Sequence, residues 1–184
     1  MSAPVQISLK SFPFGESDYA KDAWLVLLHA KRTPPHVGLL INGIYNSLTI
    51  KGQELDVALE VLLKTISQRK IETVFIKLKQ HPVFSRDYQL DILREIIKRS
   101  GPVKQFENTC LSPVKIFFRE FYAIDLLEEE LLFDFIARLN NNKFLDHFTA
   151  CYFESQDSVL EVPFYSAEDL NERIKNERLA INKT

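Results

Sequence analysis

Apolar positions along the chain fall into short runs with two different periods. Residues 23–31, AWLVLLHAK, form a continuous apolar run, and its place ahead of a second strand signal predicts a buried strand. Pro34 and Pro35 lack the N–H that a sheet ladder needs, which confines them to the start of the next strand, His36–Ile41. Asn42-Gly43 then supplies two residues that tolerate positive φ, the signature of a two-residue hairpin, and IYNSLTI reads as the returning strand. From Gln53 to Arg69 the period changes, with Leu55, Ala58, Leu59, Leu62, Leu63 and Ile66 on one helical stripe. ETVFIKLK, residues 72–79, alternates again as a half-buried strand does.

The second half of the chain is dominated by helical patterns. Ser85 is placed to cap a helix over RDYQLDILREIIKRS that stops at Gly101-Pro102. A Phe-rich helix begins after Cys110, with Pro113 in a first turn that leaves N–H groups unpaired anyway. LEEELLFDFIARLNN predicts another helix ending in the Asn140–Asn142 run, with Glu128, Glu129 and Glu130 on its solvated face, and HFTACYF predicts a last strand. Beyond Glu154 the chain turns polar and offers one peripheral helix, capped by Ser166 with Asp169 three residues on. Strands that interleave irregularly with helices favour an α+β fold over a doubly wound sheet: a small antiparallel sheet with a hairpin at 36–50, packed against several helices. The expected organisation is one domain over residues 1–153 and a tail over 154–184.

Composition narrows the function classes. The 184 residues suffice for one domain with a full core, and 46% apolar with 26% charged residues excludes a mainly disordered chain. Net charge is −2, so no overall field draws the protein onto nucleic acid, and Lys64, Arg69, Lys70, Lys77 and Lys79 read as solvated faces. No run of about 18 apolar residues predicts a membrane-spanning helix, and the first residues lack a secretory pattern. Cys110 and Cys151 are too few for a disulfide framework, so a cytoplasmic protein with free thiols is expected.

One constellation carries chemistry. A cysteine nucleophile needs a lowered pKa or an adjacent base, and the base in turn needs an orienting group. Cys110 stands just ahead of a predicted helix, His36 opens a strand, and the returning strand offers Ser47 on one face or Asn46 on the other. HVGLLINGIYNSL resembles the histidine strand and hairpin of NlpC-like papain-fold hydrolases. In the usual order of that family the cysteine precedes the hairpin. Here it follows, in ENTCLSPVKIFF, which is similar to the circularly permuted branch that includes lecithin:retinol acyltransferase-like and YiiX-like proteins.

The resemblance implies a permuted papain-like fold and a thiol hydrolase or acyltransferase acting on an amide or ester. Cys110 would be the nucleophile, His36 the base, and Ser47 or Asn46 the orienting residue. It implies no cofactor and no metal, and a peptide, lipid or other acyl substrate. The family usually places a second histidine, a carboxylate or an amide where this chain has Ser47 or Asn46, and a hydroxyl orients imidazole poorly. The rival reading is a non-catalytic binding or assembly module of the same fold, in which the Phe-rich helices form a partner or homo-oligomer interface.

Other candidates carry less. His147 and Cys151 form a second His/Cys pair with no helix start after the cysteine, and Cys151 reads as core. His29 lies in an apolar run and His81 precedes Pro82 at a strand end. His36, His81, Cys110 and Cys151 match no compact zinc spacing, and no glycine-rich phosphate loop is present.

Overall fold

The computed structural model describes residues 4–15, 18–105, 107–124, 130–153 and 158–181. Along them run β1 (Val5–Ser8), β2 (Lys10–Phe12), β3 (Ala23–Leu28), β4 (His36–Ile41), β5 (Ile44–Thr49), β6 (Gly52–Ala58), α1 (Leu59–Arg69), β7 (Thr73–Leu78) and α2 (Arg86–Arg99). There follow α3 (Leu111–Tyr122), α4 (Leu132–Asn141), β8 (Leu145–Cys151), β9 (Val159–Val162) and α5 (Ala167–Ile181). The fold is α+β, with the strands of the main sheet in the order β2-β8-β7-β3-β4-β5-β6. β2 and β8 are parallel and the other neighbours antiparallel, while β1 and β9 form a separate antiparallel pair.

The sheet is therefore larger than expected, and mixed rather than purely antiparallel. Two causes are local. β2 is only three residues long, too short to show a period. β6 replaces the first turn and a half of the helix expected from Gln53. Leu55, Ala58 and Leu59 have helical spacing, yet pairing of Leu48 with Gln53 and of Ser47 with Glu54 holds this stretch extended. A bulge between Tyr45 and Ser47 lets Asn46 Oδ1 accept from the Asp56 N–H at 2.9 Å, with Asp56 at φ 57°. Only from Leu59 onward does the helical stripe stand alone.

The hairpin forms where the sequence places it. Asn42 and Gly43 lie at φ 49° and 74°, as a two-residue turn of the primed type requires, and Ile41 pairs with Ile44. Both faces of the central strands are covered. Leu25, Leu27, Val37, Leu39, Val74 and Ile76 face the core shared with α2, α3 and α4, whereas Trp24, Val26, Leu40, Tyr45 and Phe75 pack with Leu62 and Ile66 of α1. Burial on both sides explains why β3, β4 and β7 read as nearly continuous apolar runs. Phe118 of α3 and Phe135 of α4 are wholly buried with their rings 5.3 Å apart, edge to face.

Ser85 caps α2 as its position predicts, its Oγ accepting from the Tyr88 N–H. Ser85→Ala should cost about 1 kcal/mol of stability, read from the urea midpoint at constant m-value. The capping box at α5 also forms: the Ser166 N–H donates to Asp169 Oδ2 at 2.8 Å and the Asp169 N–H to Ser166 Oγ at 3.2 Å. The segment after residue 157 does more than carry that helix. Val162 pairs with Val5, and Leu160, Val162 and Tyr165 are buried in the main core.

One acidic side chain departs from expectation. Glu130 lies before α4 rather than on it, is 7% exposed, and accepts from Arg138 Nε at 2.5 Å. Glu128 and Glu129 lie outside the described residues. Among those residues no helix is long and apolar enough to cross a membrane.

Candidate functional site at the start of β4

The β4–β5 ladder begins at Gly38 and Ser47, so the first two residues of β4, His36 and Val37, are unpaired with β5. Gly38 is needed here because a Cβ would sit 2.6 Å from the Tyr45 ring and hydroxyl, which cross over it. Beyond that crossing, His36 Nε2 lies 3.2 Å from Ser47 Oγ, and the Ser47 hydroxyl donates to Glu54 Oε2 at 2.9 Å. Three adjacent strands thus supply a chain of polar groups at one end of the sheet. Of the two orienting candidates, Ser47 meets His36 and Asn46 does not: Asn46 is spent on the bulge at Asp56.

Glu54 is the site residue that the sequence reading passed over. It sits in the stretch read as helix, so its strand parity with Ser47 was hidden. The signal was present in the tight Thr49–Gly52 turn, where Thr49 Oγ1 donates to the Gly52 carbonyl at 2.9 Å and returns the chain alongside β5.

Cys110 reaches the same end of the sheet from its opposite face, where α3 packs on the Val37 side. The turn that delivers it is fixed by its neighbours: the Thr109 N–H donates to Ser112 Oγ at 2.9 Å and the Leu111 N–H to Thr109 Oγ1 at 3.2 Å. The thiol is met by the backbone N–H of Val37, and by those of Cys110 and Leu111 at the start of α3. Burial raises its pKa, and those N–H groups together with the Arg32 charge oppose the rise without cancelling it. His36 moves the other way. Burial first, then the charges of His29 and Arg32, push the imidazole down to about 4. At neutral pH the site therefore holds a thiol and a neutral imidazole, not an ion pair. No hydrogen bond joins the two.

Cys110 opens onto a cavity of about 630 Å³. Its walls combine apolar groups, among them Leu111, Ile116, Leu132 and Tyr165, with the cationic side chains of Lys115 and Arg119. α5 closes one side through Leu170 and Asn171, and Arg32 is tied to the same helix by an ion pair with Glu177. A larger hollow of about 820 Å³ beside Lys31 and Arg173 is lined by neither Cys110 nor His36.

The remaining candidates are accounted for by structure. His147 and Cys151 stand four residues apart on β8, about 13 Å along an extended strand, too far for proton exchange. His81 organises a turn, its Nδ1 accepting from the Val83 and Phe84 N–H groups while Nε2 donates to the Phe121 carbonyl at 2.9 Å. His29 occupies the turn after β3 at φ 53°. Among the described residues no three potential metal-ligating side chains cluster. Comparison of the chain with protein-family models, with curated proteins and with solved structures finds no match in any of the three.

Proposed function

We propose that the protein is a cysteine-dependent acyl-transfer enzyme, a hydrolase or acyltransferase of amides or esters, in a permuted papain-like arrangement. The observation that carries this reading lies at the start of β4: a helix-start thiol against the Val37 N–H and, at the adjacent strand position, an imidazole whose Nε2 meets the Ser47 hydroxyl, which itself donates to Glu54. In this mechanism His36 Nδ1, the nitrogen not turned to Ser47, takes the thiol proton as sulfur attacks the carbonyl carbon. Backbone N–H groups at the start of α3 hold the oxyanion. Collapse expels the amine or alcohol, which takes the proton back from His36, and water or a second acceptor then resolves the thioester. The apolar wall of the cavity suits the acyl part of the substrate, and two free thiols suit a reducing compartment such as the cytoplasm.

The test uses p-nitrophenyl acetate and the Cys151→Ala protein, so that Cys110 is the one thiol left. Intact-mass analysis should find one acetyl group, mapped to Cys110 and turned over with time. A protein that stays unmodified, or is acetylated only as fast as a denatured control, would overturn the reading.

A second reading, the non-catalytic binding module, is favoured by two specific observations. No hydrogen bond links Cys110 to His36. His36 also shares strand parity with Gly38 and Leu40 on the α1 side, while α3 packs on the Val37 side. Under this reading Cys110 is a structural thiol and acetylation would be indifferent to His36.

A further inference from the structure

The polar chain at the end of the sheet has a direction. A carboxylate can only accept, so the contact at 2.9 Å commits the Ser47 hydroxyl proton to Glu54 Oε2. Ser47 Oγ is left with lone pairs, and at 3.2 Å it can hold His36 only by accepting from Nε2–H. A neutral imidazole carries one ring proton. If Nε2 holds it, Nδ1 presents the lone pair.

We infer that Glu54 is a positioning residue that acts through Ser47 to fix His36 as the Nε2–H tautomer, leaving Nδ1 as the proton-accepting nitrogen. The catalytic meaning of this assignment rests on the proposed acyl-transfer reading; the tautomer itself does not. The relay also remedies the weakness of a hydroxyl as an orienting group. Alone, Ser47 could rotate to donate or accept and would leave both tautomers populated. With Glu54 behind it, only one polarity keeps every contact. The same chain stabilises the imidazolium formed when Nδ1 takes a proton, because the carboxylate charge is felt through the hydroxyl. The other titratable groups acting on the ring are His29 and Arg32, both of which oppose its protonation, while Tyr45, beside Ser47, is held neutral by burial.

The experiment is long-range ¹⁵N–¹H NMR of the full chain labelled at histidine, with His36 assigned by comparison with His36→Ala. The wild type at pH 7 should show the Nε2–H pattern for His36. Glu54→Gln keeps the shape but lets the side chain donate as well as accept. It should move the tautomer ratio about tenfold toward Nδ1–H, the size of one charge-assisted hydrogen bond, and lower the midpoint of the His36 titration further. Ser47→Ala should do the same, and the double variant should go no further than either alone. An Nδ1–H ring in the wild type, or a Glu54→Gln protein with unchanged tautomer and midpoint, would overturn the assignment. Glu54 is only partly buried, so its glutamine variant is expected to fold. If Cys110 fails to accept acetyl while the tautomer responds as stated, the acyl-transfer reading falls and the relay stands.

Discussion

Replacing His36 with alanine should slow acetyl transfer to Cys110 by about 10²–10⁴-fold, the usual share of a positioned general base. The effect should be large because the buried thiol has its pKa raised and cannot ionise unaided at neutral pH. Stopped-flow release of p-nitrophenolate measures it, and a change of less than about threefold would speak for the structural-thiol reading. The pH profile separates this base from an ordinary histidine. With the imidazole pushed down to about 4, the wild-type rate should stay nearly level from pH 7 to pH 5 and fall only near pH 4. A histidine with the ordinary value near 6.5 would already have lost about thirtyfold at pH 5.

Stability should follow the same group with a definite sign. The unfolded imidazole titrates near pH 6.5 and the folded one near 4, so between those values the unfolded chain binds the extra proton. The contribution of His36 is therefore fully present above about pH 6.5 and is lost as pH falls through that window toward 4. Urea midpoints at pH 7, 5.5 and 4.5 should decline more steeply for wild type than for His36→Ala.

Gly38→Ala should be among the most damaging small substitutions in the chain. The added Cβ would lie 2.6 Å from Tyr45 Cε2 and Oη, and Tyr45 is 1% exposed, so its ring has nowhere to swing. Strand register closes the other escape, since Gly38 is paired with Ser47. Overpacking of this kind costs about 2–3 kcal/mol, which for a chain of this length lowers Tm by roughly 4–12 °C. Tyr45→Leu in the same molecule should restore part of the loss, although Tyr45→Leu alone destabilises. That non-additivity in a double-mutant cycle is the specific signature of the contact. A Gly38→Ala protein as stable as wild type would show that the ring does not cross the strand there.

What the sequence made legible was local. Asn42-Gly43, Ser85, Pro113 and the Ser166/Asp169 box each act within a few residues of themselves, and each forms as its chemistry predicts. The hidden parts depend on partners distant in the chain. β6 has a helical stripe of its own and becomes a strand because β5 lies beside it. β1 and β9 meet across almost the whole sequence. Glu130 lies in a run of three acids and is nevertheless buried because Arg138 reaches back to it. The candidate site divides along the same line. His36 and Ser47 are joined by a hairpin that sequence specifies. Glu54 depends on the misread strand, and the approach of Cys110 to Val37 depends on how α3 seats against the sheet.

The two rims of the main sheet bear on how copies of this chain can associate. One rim, β2, offers three residues of backbone. The other, β6, is bent by its bulge, carries Asp56 in a left-handed conformation, and is bridged to α2 by Arg94 at 2.7 Å. Bent, charged and very short rims deter strand addition. Fibrous growth by extension of the main sheet is therefore discouraged at both ends, which shifts any pairing of two copies among the described residues to the β1–β9 pair, the helices or the loops.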